Sequence, residues 1–315
     1  MTSRADLTWL SPTPERANAH PGETPQLRIG IPHTGGALCQ AAWNSGLPVM
    51  VSASAFWDRR ALRFRTDGHF SALQDCDFAL DSAGFTAMLN WKRLGRQPGM
   101  LGVFPWSLAD YVNLIGVLRP AWASQPDMCV EPEIANDDEV RRYRIEATAA
   151  MLDAHLTLVA RWQDLGAFWL APPVPVLQGW YPDDYVRSLD LMQEVWARHD
   201  DRFDAPALIG IGSMCRRSLR DREVGIMSVL DQILPRLPSR AVVHLFGVKG
   251  AAMAELADIP EVASFDSMAW DFSARVAARN AGGSCSMAHR IRVMRDWYEK
   301  QRPARAADHV IPMCA

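Results

Sequence analysis

The sequence predicts a single α/β domain built as a (β/α)8 barrel of the TIM type. Three observations in the 315-residue chain carry that expectation. Short, nearly continuous apolar runs recur; helical patterns separate them; and several runs end in polar residues. Apolar runs without alternation suit parallel strands covered on both faces, and strand–helix alternation is the signature of βα units.

Taken in order, the strand candidates are residues 27–32, 48–53, 78–82, 128–132, 174–178, 208–212, 242–246 and 263–266. Amphipathic stretches lie among them at 107–118, 138–165, 183–198, 219–234, 251–257 and 286–301. In the third, Val186, Leu189, Met192 and Val195 form an apolar stripe, and Asp183 and Asp184 suit a helix N-terminus. Units at this spacing favour a barrel. An open flavodoxin-like or Rossmann sheet stays as the alternative, although no Gly-x-Gly-x-x-Gly follows an early strand. Residues 1–26, rich in Pro, Thr and Ser, read as a flexible N-terminal arm, 27–301 as the barrel domain and 302–315 as a C-terminal tail.

Composition bounds the function classes. With 49% hydrophobic and 22% charged residues the chain has an ordinary globular profile, long enough for a sizeable core. No apolar run approaches the ~20 residues of a membrane span, and the N-terminus has no apolar signal-peptide core, which points to a cytoplasmic protein with no membrane partner. Lys and Arg total 33 against 36 Asp and Glu, so bulk charge gives no pull toward nucleic acid. Local clusters exist at Arg216, Arg217, Arg220 and Arg222, and again at Arg290, Arg292, Arg295, Lys300, Arg302 and Arg305; each alone reads as a solvated helix face. The six cysteines show no Cys-x-x-Cys pair, and the one metal-like spacing, Cys285 to His289, has no further ligands nearby, so neither a disulfide framework nor a structural metal is expected.

The chemistry begins where strands end. In a barrel those positions face the active site. Phe78-Ala79-Leu80 runs into Asp81-Ser82-Ala83-Gly84-Phe85, and Met128-Cys129-Val130 into Glu131-Pro132-Glu133. Val176-Leu177 ends in Gln178-Gly179, Leu208-Ile209 in Gly210-Ile211-Gly212-Ser213, and Ser264-Phe265 in Asp266-Ser267. A lone Asp after an apolar run is ordinarily a helix cap or a turn residue. Carboxylates, an amide and a Gly-containing turn at several run ends together point to one pocket.

These segments resemble, in order, motifs of the tRNA-guanine transglycosylase superfamily over roughly residues 48–275. Asp81-Ser82-Ala83-Gly84-Phe85 resembles that family's Asp-Ser-Gly-Gly-Phe/Tyr, and Val176-Leu177-Gln178-Gly179 its Val-Gln-Gly. Ile211-Gly212-Ser213 stands where the family has Ile-Gly-Gly, and His244-Leu245-Phe246-Gly247-Val248 resembles Tyr-Leu-Met-Gly-Val. Phe265-Asp266-Ser267 with the later Arg275 resembles the nucleophile segment.

The resemblance implies a base-exchanging guanine transglycosylase, a pentosyltransferase. Asp266 would attack C1′ of a nucleotide and form a covalent glycosyl-enzyme; Asp81 would be the second carboxylate, serving proton transfer and base contact. Phe85 and Phe246 would sandwich the purine, though a pair of ordinary core aromatics has the same pattern. Glu131 would read the base's N–H edge, with Glu133 as a competitor. Gln178, Gly179, Gly212 and Ser213 would line the base, while Arg216, Arg217 and Arg275 would hold phosphates. The family's C-terminal zinc motif is absent and the chain is short. Residues 209–217 look more like the deazapurine DNA-modification (DpdA-like) branch, which inserts a 7-deazaguanine such as 7-cyano-7-deazaguanine into DNA. The expectation is therefore DNA as the polymer partner, a 7-deazaguanine as the second base, no cofactor, and room for partner proteins or a homodimer. The alternatives are a tRNA-guanine transglycosylase, a nucleoside- or glycoside-hydrolysing barrel, and a non-catalytic nucleic-acid-binding subunit.

Overall fold

The computed structural model describes residues 24–32, 36–65 and 71–302. Residues 1–23 of the expected arm, residues 303–315 of the expected tail and Arg305 lie outside the described residues. In chain order the elements are β1 (Gln26–Ile31), α1 (Gly36–Asn44), β2 (Val49–Ser52), β3 (Trp57–Asp58), β4 (Arg63–Phe64), α2 (Ser71–Gln74), β5 (Phe78–Asp81), α3 (Gly84–Leu94), α4 (Leu108–Leu118) and β6 (Trp122–Ala123). Then follow α5 (Asp138–Asp164), β7 (Val176–Leu177), α6 (Pro182–Ala197), β8 (Leu208–Ile211), α7 (Ile226–Ile233), β9 (Val242–Leu245), α8 (Gly250–Leu256), β10 (Val262–Ser267), α9 (Ala269–Asn280) and α10 (Met287–Gln301).

Eight strands form one curled parallel sheet in the order β6-β5-β2-β1-β10-β9-β8-β7, and β3 and β4 pair separately as an antiparallel hairpin. The first strand lies between the second and the last: Ile29 is in register with Val49 and with Ser267. Strands β6 and β7 meet only through the bridge Ser124↔Val174. The fold is thus TIM-like, with its ladder open at that seam rather than continuous all round as the sequence predicts. The reason is local. Pro126, Pro172, Pro173 and Pro175 crowd the seam, and proline has no N–H to give a ladder. The Gln125 side chain substitutes there, accepting from Val176 N–H at 3.2 Å and donating to the Thr148 carbonyl at 2.8 Å.

The predicted fourth strand is corrected. Residues 128–132 carry no ladder; the fourth barrel strand is Trp122–Ala123, just before Pro126. The segment after it is held by side chains instead: Met128 N–H donates to Thr148 Oγ1 at 3.0 Å and Val130 N–H to Ser213 Oγ at 3.1 Å. The predicted helix at 219–234 is also shorter, beginning at Ile226, because Asp221 Oδ1 accepts the N–H groups of Glu223 and Val224 and sets a turn.

Alternation along the strands sorts the core into two layers. Outward residues such as Ile29, Val51 and Leu80, or Ile211, Leu245 and Phe265, pack under the helices. Inward, Met50, Ala79, Trp122, Val174, Leu208, Val242 and Ala263 plug the barrel. Burying each such large apolar side chain contributes roughly 1.5–3 kcal/mol. The helices are started deliberately: Ser107 and Asp110 form a reciprocal capping box on α4, and Asp137 caps α5. In α6, Leu189, Met192 and Val195 of the expected stripe are buried.

Candidate active site

Beyond the inner layer, the carboxyl ends of the strands surround a cavity of about 240 Å³. That is below the ~300–1,000 Å³ typical of drug-sized ligands and suits one small ring system. Asp266, Asp81, Glu131 and Gln178 of the predicted site all line it, as do Phe85, Phe246, Gly212 and Ser213. Topology explains the convergence: β10 and β5 are three strands apart in the sheet, and curling brings their ends to one mouth.

Asp266, at the end of β10, remains partly open, with 15% of its side chain exposed. Its Oδ1 accepts the Gly247 N–H at 2.8 Å, and His244 Nε2 lies 3.4 Å from the same oxygen. Asp81, at the end of β5, accepts the Ala83 N–H at 3.1 Å. Burial first, then the nearby charges of Asp127 and Asp266, push its carboxyl up to about 7, against hydrogen bonds from Ala83 and Ser52. One barrel mouth therefore holds an accessible carboxylate and a carboxyl poised to carry a proton near neutral pH.

Asp127 is a site residue that the sequence reading missed. It is buried in the cavity wall, where Ser82 Oγ donates to Oδ1 at 2.7 Å and Gln178 Nε2 donates to Oδ2. Burial raises its pKa, while those two hydrogen bonds oppose the rise. The missed signal was the strand: with β6 at Trp122–Ala123, Asp127 falls just past its end, whereas a strand at 128–132 drew attention to Glu131. Glu131 lines the cavity as well. It is buried, its Oε2 has no hydrogen-bond partner among the described residues, and burial raises its pKa. Its competitor Glu133 lies away from the cavity, its carbonyl accepting from Lys92 Nζ at 2.8 Å.

Gln178 is fixed at both ends, since Ser213 Oγ donates to its Oε1 at 2.7 Å. Gly212 lets that amide sit close: a Cβ there would stand 2.1 Å from Gln178 Nε2. Gly84 serves Asp127 in the same way, its hypothetical Cβ meeting the Asp127 carbonyl and carboxylate at 2.6 Å. Gly179 is outside the cavity lining; its carbonyl accepts from Arg217.

The three proposed phosphate-binding arginines part company. Arg217 is buried and gives its donors to the carbonyls of Ser213, Trp180, Val224 and Gly179 and to the Tyr185 hydroxyl, with its guanidinium 4.2 Å from the Trp180 ring. It is a clamp behind Gly212 and Ser213, with its donors committed to protein groups. Arg275 pairs with Asp271 at 2.6 Å on α9, and buried Arg290 of the C-terminal basic cluster joins the same Asp271. Arg216 is exposed beside Cys215, a cavity-lining residue, and lies 3.9 Å from Glu133.

Among the described residues no helix is long and apolar enough to cross a membrane, and no group of three or more His, Cys, Asp or Glu is placed to hold a metal ion. Compared with curated proteins, the chain has no match. A family model does match residues 37–313, nearly the whole barrel, and the chain belongs to that family, DpdA, described as DeoxyPurine in DNA protein A.

Proposed function

We propose that this protein exchanges a guanine in DNA for a 7-deazaguanine, such as 7-cyano-7-deazaguanine, through a covalent glycosyl-Asp266 intermediate. The observation that carries the reading is the pairing of Asp266 with Asp81 across one base-sized cavity. Both protein contacts of Asp266 fall on Oδ1, which leaves Oδ2 uncommitted among the described residues.

In the first displacement Oδ2 bonds to C1′ as the C1′–N9 bond breaks. The electron pair leaves with guanine, which takes a proton from Asp81. In the second, the incoming base gives its N–H proton to Asp81, attacks C1′ and releases the Asp266 carboxylate. Two inversions retain the β-linkage, and the proton borrowed in one step returns in the other. A carboxyl with a pKa near 7 serves both directions at neutral pH.

Asp127, Gln178 and Glu131 supply acceptors and donors for a purine edge, and the free Oε2 of Glu131 is an acceptor awaiting an N–H. Phe85 and Phe246 flank the ring. The target nucleotide must leave the stack to bring C1′ to Asp266, and exposed Arg216 stands at the rim for backbone phosphate. Membership of a family described by deoxypurine in DNA supports DNA as the polymer.

Mass spectrometry of nucleosides from cells expressing this chain with a deazaguanine supply tests the reading. A modified deoxynucleoside in DNA is expected. A modified ribonucleoside confined to tRNA, or guanine release without any modified nucleoside, would replace this function with the tRNA-acting or the hydrolytic one.

A further inference from the structure

His244, on β9, is fully buried two residues before Phe246. Its Nδ1 lies 2.7 Å from Ser264 Oγ on β10, the residue in register with it. Among the described residues its Nε2 has no hydrogen-bond partner, yet it sits 3.4 Å from Asp266 Oδ1. A buried polar atom left without a partner is costly enough to require an account. The charged groups acting on the ring are Arg28 from β1 and Asp266 from β10; Trp122 and Phe246 enclose it edge-on, at centroid distances of 5.0 and 4.5 Å.

The proton's position follows from these contacts. Burial first, and Arg28 with it, lower the pKa of His244 against the pull of Asp266, so the imidazole is neutral and holds one N–H. If that proton were on Nδ1, the Nε2 lone pair would face the Asp266 carboxylate, two acceptors with no donor between them. With Ser264 Oγ–H donating to Nδ1, the proton sits on Nε2 and points at Asp266.

We propose that His244 is a positioning residue for the nucleophile, donating Nε2–H to Asp266 Oδ1 beside the Gly247 N–H so that Oδ2 is presented to C1′. The proposal rests on the function proposed above and adds to it a residue that never touches substrate. The distance of 3.4 Å closes to a hydrogen bond as the carboxylate is drawn onto the sugar, and the same N–H receives the charge when Asp266 departs from C1′.

Two measurements on the full chain test it. Imidazole ¹⁵N NMR should show His244 neutral and protonated at Nε2, with that signal shifting in Asp266→Asn; an Nδ1–H tautomer, or no response to Asp266→Asn, overturns the proposal whether or not the protein modifies DNA. Single-turnover base exchange on a DNA oligonucleotide should fall roughly 10- to 100-fold in His244→Phe, the scale of one hydrogen bond to a charged group, with KM for DNA unchanged. His244→Gln, which carries an amide N–H near the Nε2 position, should recover most of that loss. His244→Phe at wild-type rate, or His244→Gln as slow as His244→Phe with both folded by circular dichroism, contradicts it. An inactive wild-type chain would sink the proposed function, and the NMR result would still decide the role of His244.

Discussion

Ser213 holds Gln178: from a left-handed backbone position, φ +53°, its Oγ donates to Gln178 Oε1 at 2.7 Å while accepting the Val130 N–H at 3.1 Å. Through Gln178 this one hydroxyl orders Asp127, so a serine in place of a turn glycine ties three barrel ends together.

Ser213→Ala should therefore destabilise the protein by about 2 kcal/mol, because a buried N–H and a buried amide oxygen each lose a partner. Ser213→Gly loses the same bonds but relieves a left-handed backbone, so it should cost less. Denaturant midpoints check the order. Equal midpoints for both variants and the wild type would show that the network contributes nothing to stability.

Ala83 carries the same strain without a hydroxyl to justify it, at φ +70° before α3. Ala83→Gly should raise stability by about 0.5–1 kcal/mol, the relief of left-handed strain less the added freedom of the unfolded chain. Gly84→Ala next door should do the reverse, since its Cβ would push on Asp127. Thermal melts of the two variants should move in opposite directions.

Asp81 makes stability depend on pH. Its folded pKa of about 7 lies above an unfolded value of about 3.9, so the folded state binds the extra proton between those limits. Its contribution is whole below about pH 4 and is lost as pH rises toward 7, with a slope of at most ~1.4 kcal/mol per pH unit. Asp81→Asn lacks this titration and should gain on the wild type as pH rises from 4 to 7. Unfolding curves at pH 5 and pH 8 would refute this if the wild-type-minus-variant difference stayed constant.

Arg217 and Arg216 are neighbours with opposite expected effects. Arg217→Ala should cost at least about 3 kcal/mol, as several buried carbonyls lose a charged donor. Arg216→Ala should leave stability unchanged but weaken DNA binding and lower its salt dependence by about one ion. Binding isotherms at several salt concentrations separate the two; a Arg216→Ala slope equal to wild type removes Arg216 from the phosphate contacts.

The elements that the sequence revealed are those dominated by one local force. Apolar runs marked β1, β2, β5, β8, β9 and β10, and the polar residues at run ends marked Asp81, Glu131, Gln178, Ser213 and Asp266 on the cavity wall. What stayed hidden depends on distant partners. Strand β6 has only two residues before Pro126, too short for periodicity to find, and losing it also hid Asp127. The commitment of Arg217 to carbonyls from three loops has no local mark in the sequence. The exposed apolar residues of α3, Phe85, Leu89 and Leu94, blurred its amphipathic pattern, and the helix went unnoticed.

The central claim is that Asp266 bonds to the sugar, and trapping that bond tests it most directly. Wild-type protein mixed with guanine-containing DNA in the absence of a second base, then digested and read by peptide mass spectrometry, should show a deoxyribosyl adduct on Asp266 with free guanine released. Asp266→Asn should show neither. An adduct on another residue, or guanine exchange at wild-type rate by Asp266→Asn, would contradict the account.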